Sequence, residues 1–254
     1  MAIPAHRKPD KGARLNALLA VRSLRHQRAW LFQAYMLLLA LTFGVLAFFV
    51  STTPYFGFDL AFTRALQAID LPGFDWLMRA VSLLGFDWKA ILAISLITLY
   101  LFAIGLRWEA VVGVIGSTGI WVLDNFVKVV IDRPRPSPDL VHVITQLNGP
   151  SFTSGHVTSF VVFYGFQWFL AYTLLKPSWK RTLLLALLGI LILLAGLSRI
   201  YSGEHWPSDV LGSYLLGSLW LALIIQLYRW GRGHRLVRRL LHEDWRKHEK
   251  SLAQ

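Results

Sequence analysis

The sequence predicts an all-α membrane protein, a polytopic helical bundle with six transmembrane helices. Three observations carry that expectation. Apolar residues make up 55% of the 254 and charged residues only 16%, with a mean hydropathy of +0.49, where an average soluble domain has about 25% charged residues. The apolar residues fall into six runs, each near the roughly 20 residues that cross a hydrocarbon core. The basic residues gather in the segments between every second pair of runs. Together these exclude a disordered chain, a coiled coil and an ordinary soluble enzyme.

Residues 1–28 are polar and hold seven basic side chains, among them Arg7, Lys8, Lys11, Arg22, Arg25 and Arg28. The apolar run from Ala29 to about Val50 follows. It is longer than the core of a secretory signal peptide and lacks a small-residue cleavage site, so it reads as an uncleaved first span. Residues 51–88 are broken by Pro54, Gly57, Pro72 and Gly73. Between the breaks Leu60, Leu66 and Ile69 recur near helical spacing. That pattern fits a short amphipathic helix at the interface and fits an ordered loop equally well. Further spans are expected at 90–106, 110–130, 156–175, 182–201 and 209–228. Trp88, Trp108, Trp179, Trp206 and Trp230 stand near their ends, as an aromatic belt requires. The organisation is thus a basic N-terminal segment (1–28), a six-span domain (29–228) and a basic tail (229–254).

The positive-inside rule gives an orientation. With the N-terminus in the cytoplasm, the inside segments are 1–28, 107–109, 176–181 and 229–254, which hold 19 of the 26 Lys and Arg. Both termini are then cytoplasmic, in a cell (inner) membrane. Of the seven remaining cations, Lys128, Arg133, Arg135 and Arg199 cluster at the outer ends of the third and fifth spans.

Charge at membrane depth is costly and by default points to function. Here it comes in three groups: Lys128 with Arg135 and Pro136; Ser154, Gly155 and His156 where a loop enters the fourth span; and Ser198, Arg199, His205 and Asp209 bridging the fifth and sixth. All three fall on the outer, periplasmic face. Cations, a hydroxyl and the backbone N–H groups of a helix N-terminus make a phosphate site. No cysteine is present and no carboxylates cluster at metal-ligand spacing, so neither thiolate chemistry nor a metal or other cofactor is expected. His156, His205 and Asp209 can supply a nucleophile, a proton donor and an orienting group. The residues alone leave open which histidine attacks. Asp209 lies four residues after His205 with Pro207 between them; if the first helical turn reaches back to His205, the two share a face.

These groups resemble the signature of the type-2 phosphatidic acid phosphatase family: K-x6-R-P, P-S-G-H and S-R-x5-H-x3-D. The first reads from Lys128 to Arg135-Pro136, and the third from Ser198-Arg199 through His205 to Asp209 with both spacings kept. The second departs, with Thr153 where proline is usual before Ser154-Gly155-His156. That change is expected to alter the loop's entry angle and not the chemistry. The resemblance spans about 85 residues, and three spaced motifs in order are far more specific than any one.

The resemblance implies metal-independent hydrolysis of a lipid phosphate or diphosphate through a phosphohistidine. By position, His205 is the nucleophile, Asp209 orients it, and His156 protonates the leaving oxygen and then helps activate water. Lys128, Arg135, Ser154, Gly155 and Arg199 hold the phosphoryl oxygens. An external site favours undecaprenyl diphosphate, with phosphatidic acid and phosphatidylglycerol phosphate as other candidates. The rivals are a phosphotransferase using the same site and a non-catalytic lipid-binding protein. Vanadium-dependent haloperoxidases share the anion site but are soluble.

Neighbouring residues carry plainer expectations. Arg133 reads as a rim charge, with contact to a second phosphate as the alternative, and Asp124 as an i,i+4 partner of Lys128 in preference to a proton-handling group; Glu204 reads as a cap or a water-facing side chain, and His142 as a surface histidine. The basic tail, with Leu236, Leu240 and Leu241 between its cations, reads as an interfacial helix on anionic headgroups. Nothing else in the chain supports nucleic-acid binding, and nothing bears on oligomeric state.

Overall fold

The computed structural model describes residues 11–84 and 87–252. Among them the chain forms eight helices and no strand: α1 (Lys11–Thr52), α2 (Gly57–Gln67), α3 (Phe74–Leu84), α4 (Asp87–Ala103), α5 (Arg107–Ile131), α6 (Gly155–Leu174), α7 (Trp179–Tyr201) and α8 (Pro207–Leu252). The chain divides into two compact units, one up to Thr42 and one from Phe43 onward. The first is essentially the bulk of α1. Its apolar side chains are bare, Trp30 and Leu31 each 71% exposed, which suits a helix solvated by hydrocarbon.

Five helices are long and apolar enough to cross a membrane, at His26–Thr52, Arg107–Ile131, Gly155–Leu174, Trp179–Tyr201 and Pro207–Gly233. The run expected to make a further span at 90–106 is shorter. α4 has 17 residues, about 25 Å at 1.5 Å per residue, against a core of roughly 30 Å. Its C-terminus has a specific stop. Gly105 adopts a left-handed conformation (φ 86°), and the Leu106 N–H bonds back to the Leu101 carbonyl at 2.9 Å, closing the helix as a Schellman motif does. Both chain ends extend farther than expected: α1 starts inside the basic segment, and α8 carries the last span on to Leu252 as one helix. The side chains of the N-terminal cations up to Arg25, and those of the tail beyond Gly233, lie outside the described residues. So does the expected contact of that tail with lipid headgroups.

The segment left open between helix and loop is two helices, α2 and α3, joined by a turn at Gly73 (φ 83°). α2 buries Asp59, Thr63 and Leu66, the i, i+4 and i+7 positions of one face. α6 is the centre of the second unit. It packs against α5, α7 and α8, and 61% of its apolar window is buried, against 28–33% for those three neighbours. Their ends alternate in direction around it. The C-terminal ends of α5 and α7 therefore meet the N-terminal ends of α6 and α8, and the three motif groups converge there. Val157, Val161, Ile200 and Val210 pack beneath them.

Candidate active site

The chain enters the site through a left-handed residue. Asp132 caps α5 at φ 45° and its N–H bonds to the Lys128 carbonyl at 3.0 Å. Aspartate tolerates that region better than most residues. From there Arg133 and Arg135 diverge. Arg133, expected at the rim, is 1% exposed. Its guanidinium donates to Asp209 Oδ1 at 2.5 Å, Ser208 Oγ at 2.7 Å, Asp59 Oδ2 at 3.0 Å and the Pro54 carbonyl at 3.1 Å. Two carboxylates hold it inside, so it is a buried clamp and not a surface charge.

Arg135 faces neutral acceptors. It donates to the carbonyls of Gly149 (3.0 Å), Glu204 (2.8 Å) and Pro150 (3.2 Å), and lies 3.2 Å from His205 Nε2. Guanidinium is a donor only, so His205 Nε2 must be the accepting nitrogen in this contact. The proton then sits on Nδ1, which donates to the Ser151 carbonyl at 2.8 Å. The tautomer is thus assigned from its partners. Burial is the main force on His205, pushing its pKa down to about 4 against the pull of Asp209. Burial likewise draws the Arg135 guanidinium below its ordinary value.

The direct His205–Asp209 hydrogen bond considered from their spacing is absent, at 3.8 Å. α8 begins at Pro207, so His205 lies outside the first turn and cannot share its face. Asp209 Oδ2 instead accepts from Ser151 Oγ at 2.5 Å and from the Trp206 N–H at 2.8 Å. Ser151 therefore stands between the two, taking the imidazole proton on its carbonyl and giving its hydroxyl to the carboxylate. The Ser151 N–H in turn bonds to the Arg133 carbonyl at 2.8 Å. Sequence reading missed Ser151. The available signal was a hydroxyl residue three positions before Ser154.

Lys128 pairs with Asp124 Oδ2 at 2.7 Å across one helical turn. Asp124 Oδ1 accepts from the Thr153 hydroxyl at 2.6 Å and from Thr158 at 3.3 Å. The residue that departs from the family motif thus gives the loop a bond that proline lacks. Gly155 lets the backbone approach the ion pair closely: a Cβ there would lie 3.0 Å from Asp124 Oδ2 and 3.1 Å from Lys128 Nζ. Ser154 precedes α6 with its N–H on Ser213 Oγ at 2.8 Å, while its own hydroxyl is buried with no hydrogen-bond partner among the described residues.

Arg199 is also buried. It pairs with Glu204 Oε2 at 2.7 Å and bonds to the Ser82 hydroxyl. Glu204 was expected to cap α8 or face water, but it is 3% exposed. Burial pushes its carboxyl above the ordinary range, against the opposing pull of Arg199 and Arg135. His142 is exposed, as a surface histidine would be. Its backbone is pinned by Gln67, whose amide bonds to the His142 carbonyl at 2.7 Å and the Tyr201 carbonyl at 2.9 Å.

Lys128, Gly155 and His156 line a cavity of about 630 Å³ whose other walls include Ile91, Trp121, Phe160 and Tyr164 from α4, α5 and α6. One side of the site is thus a cationic, hydrogen-bonded cluster around His205, and the other a largely apolar recess headed by His156. Among the described residues no group of three His, Asp or Glu side chains is arranged as a metal-ligand set.

A family model described as the PAP2 superfamily matches residues 91–232. Phosphatidylglycerophosphatase B of Bacillus subtilis (strain 168) is 28% identical over 188 residues, covering 73% of this chain and 91% of that one. The putative undecaprenyl-diphosphatase YbjG of Escherichia coli (strain K12) is 32% identical over 114 residues, 45% of this chain and 52% of that one. Among solved structures, the transmembrane PAP2-type phosphatidylglycerolphosphate phosphatase from Bacillus subtilis superposes with a TM-score of 0.67 at 26% identity, covering 76% of this chain and 94% of that one. Aquifex aeolicus LpxE, at 21% identity and a TM-score of 0.55 over 67% of this chain and 96% of that one, shares the fold. The matched segment takes in more than half of the residues and all three motif groups, so the chain is a multi-pass membrane protein belonging to the PAP2 superfamily.

Proposed function

We propose that this protein is a metal-independent membrane phosphatase that cleaves a lipid phosphate or diphosphate through a phosphohistidine on His205. One observation carries the reading. His205 keeps an unprotonated Nε2 beside Arg135, a cation paired with no carboxylate among the described residues, while Nδ1–H is held by the Ser151 carbonyl. That is the protonation state an attacking imidazole needs. His205 Nε2 would form the bond to phosphorus as the ester P–O bond breaks. Protonated His156 would give its proton to the leaving oxygen. Water would then attack phosphorus, passing a proton to His156, and the N–P bond would break to release phosphate and restore His205. Asp209, 3.8 Å from Nδ1, would stabilise the positive charge of the phosphoimidazole. Lys128, Arg135 and Arg199, with Ser154 and the Gly155 N–H, would neutralise the phosphoryl oxygens, which is most of what phosphoryl transfer asks of a protein.

The apolar recess supports a lipid substrate, since a tail can lie along Ile91, Trp121 and Phe160 while the phosphate meets Lys128 and His156. We favour undecaprenyl diphosphate, on an outward-facing site with both termini cytoplasmic, a basic segment at 1–28, a six-span body at 29–228 in which α4 crosses a locally thinned bilayer, and a basic tail on anionic lipid at 229–254. Phosphatidylglycerol phosphate is the second reading, favoured by the similarity to phosphatidylglycerophosphatase B over 91% of that chain.

The test is phosphate release in detergent with EDTA present, from undecaprenyl diphosphate, phosphatidylglycerol phosphate and phosphatidic acid, by wild type and His205→Ala. Release that survives EDTA and disappears in the variant is expected, and the panel ranks the substrates. No release from any of the three by folded wild type overturns the hydrolase reading, and adding a lipid acceptor then tests the phosphotransferase.

A further inference from the structure

We infer that Asp59, on α2, is a positioning residue for the reaction: through Arg133 it sets the charge and orientation of Asp209 and thereby supports His205. This inference rests on the catalytic reading above. Asp59, Arg133 and Asp209 have side chains wholly removed from solvent. Arg133 binds Asp209 Oδ1 at 2.5 Å and Asp59 Oδ2 at 3.0 Å. Ser208 ties the same three together, with its N–H on Asp59 Oδ1 at 2.8 Å, its hydroxyl on Asp59 Oδ2 at 2.8 Å, and Arg133 donating to that hydroxyl at 2.7 Å. The Phe56 N–H completes the shell of Asp59 at 3.0 Å.

The charge balance explains why a second carboxylate is needed. Arg133 alone would cancel Asp209, leaving little negative potential for a positively charged phosphoimidazole. With Asp59 present the three groups sum to one negative charge, and Arg133 can hold Asp209 in place without neutralising it. The Asp59 and Arg133 side chains are fully buried and their polar atoms face one another, Asp209 and Ser208, so both act through Asp209 and not on the substrate. Asp59 also lies before the segment matched by the family model, which begins at residue 91. The device joins the α2 helix to the catalytic residues, all of which come from later in the chain.

The experiment compares Asp59→Asn with the double variant Asp59→Asn/Arg133→Gln in the full-length protein, using phosphate release and gel filtration. The single change leaves Arg133 cancelling Asp209; the double change returns the unit to one negative charge. Asp59→Asn is expected to lower kcat by about 10- to 100-fold, the range found when a partner that orients a metal-ligating side chain is removed, with KM unchanged. The double variant is expected to turn over at least about fivefold faster than the single, a coupling of the size seen between residues in contact. A purely structural clamp predicts the reverse, with the double variant slower because more bonds are lost. That result, an unchanged kcat in Asp59→Asn, or failure of both variants to fold overturns the inference. If only the double variant folds, its kcat within about tenfold of wild type sustains the charge rule and a larger loss overturns it. Active wild type with indifferent variants sinks this inference alone, whereas inactive wild type sinks the catalytic reading with it.

Discussion

Arg133 and Arg135 stand two residues apart, each followed by proline, and they do opposite things. Arg133 donates to two carboxylates, a hydroxyl and a carbonyl, and is shut away from solvent. Arg135 donates to three carbonyls and an imidazole nitrogen and is half-buried. Local sequence does not separate them; their counterions do. Lys128 and Arg199 resemble Arg133 in having a carboxylate each, Asp124 and Glu204. Among the described cations of the site, Arg135 is the one held by neutral groups alone. A cation held by dipoles can meet a phosphate with its whole charge, whereas Lys128 and Arg199 would share theirs between a carboxylate and the phosphate.

The sharpest way to break this comparison is to delete each arginine. Arg133→Ala leaves Asp59 and Asp209 buried without their cation, and removing one partner of such a pair costs about 3–5 kcal/mol. We expect poor yield and a large fall in thermal unfolding temperature in detergent, and an Arg133→Ala protein as stable as wild type would show the clamp to be dispensable. Arg135→Ala removes a donor that has no carboxylate to strand. Its fold should stay intact while kcat/KM falls about 10²- to 10³-fold, the range for losing one oxyanion donor. The pair of measurements must cross, one arginine read in stability and the other in rate. If both variants lose stability alike, the assignment of Arg135 to the ligand fails.

Acid should act on the His205 side of the comparison. Burial holds the folded pKa at about 4, below the ordinary value near 6.5. The unfolded chain therefore binds more protons between about pH 6.5 and pH 4, and stability falls as the pH drops through that window and levels below it. Catalysis needs the neutral imidazole, so kcat/KM should show no loss assignable to His205 until the pH approaches about 4. A His205-dependent acidic limb near pH 6.5 in kcat/KM would mean that the imidazole is far less buried in the working enzyme.

The part of the site that could be read from the sequence is the part whose chemistry is strung along short spacings. Lys128 to Arg135 and Arg199 to His205 to Asp209 each lie within a few turns of one another, and the cost of charge at membrane depth marks them. What was illegible depends on partners far away in the chain. Arg133 meets Asp59 across 74 residues, and nothing local distinguishes an Asp on the inward face of α2 from one in a loop. Its spacing from Thr63 and Leu66 was the one available hint. Ser151 escaped because its role is half backbone, through a carbonyl that no side-chain motif encodes. The helical class followed from composition, but the length of α4 did not. Hydropathy registers that run as apolar, while the left-handed turn at Gly105 decides where it ends.

The smallest expected effect lies on the Lys128 side of the cavity, where Thr153 replaces the usual proline. Its hydroxyl touches Asp124 Oδ1 at 2.6 Å, and Asp124 is already held by Lys128 on its other oxygen. Thr153→Val keeps the shape and removes only that bond. A buried hydrogen bond to a charged group contributes about 1.5–3 kcal/mol, so unfolding should shift by an amount in that range or below, because Thr158 remains as a second donor to the same oxygen. Lys128 keeps its partner and its place at the cavity wall, so kcat/KM should change by less than about tenfold. A larger loss of rate would mean that Asp124, once released from the loop, pulls Lys128 off the phosphate. Lys128 would then belong with Arg135 as a cation whose freedom the loop protects, and not with Arg133 as one whose charge is spent.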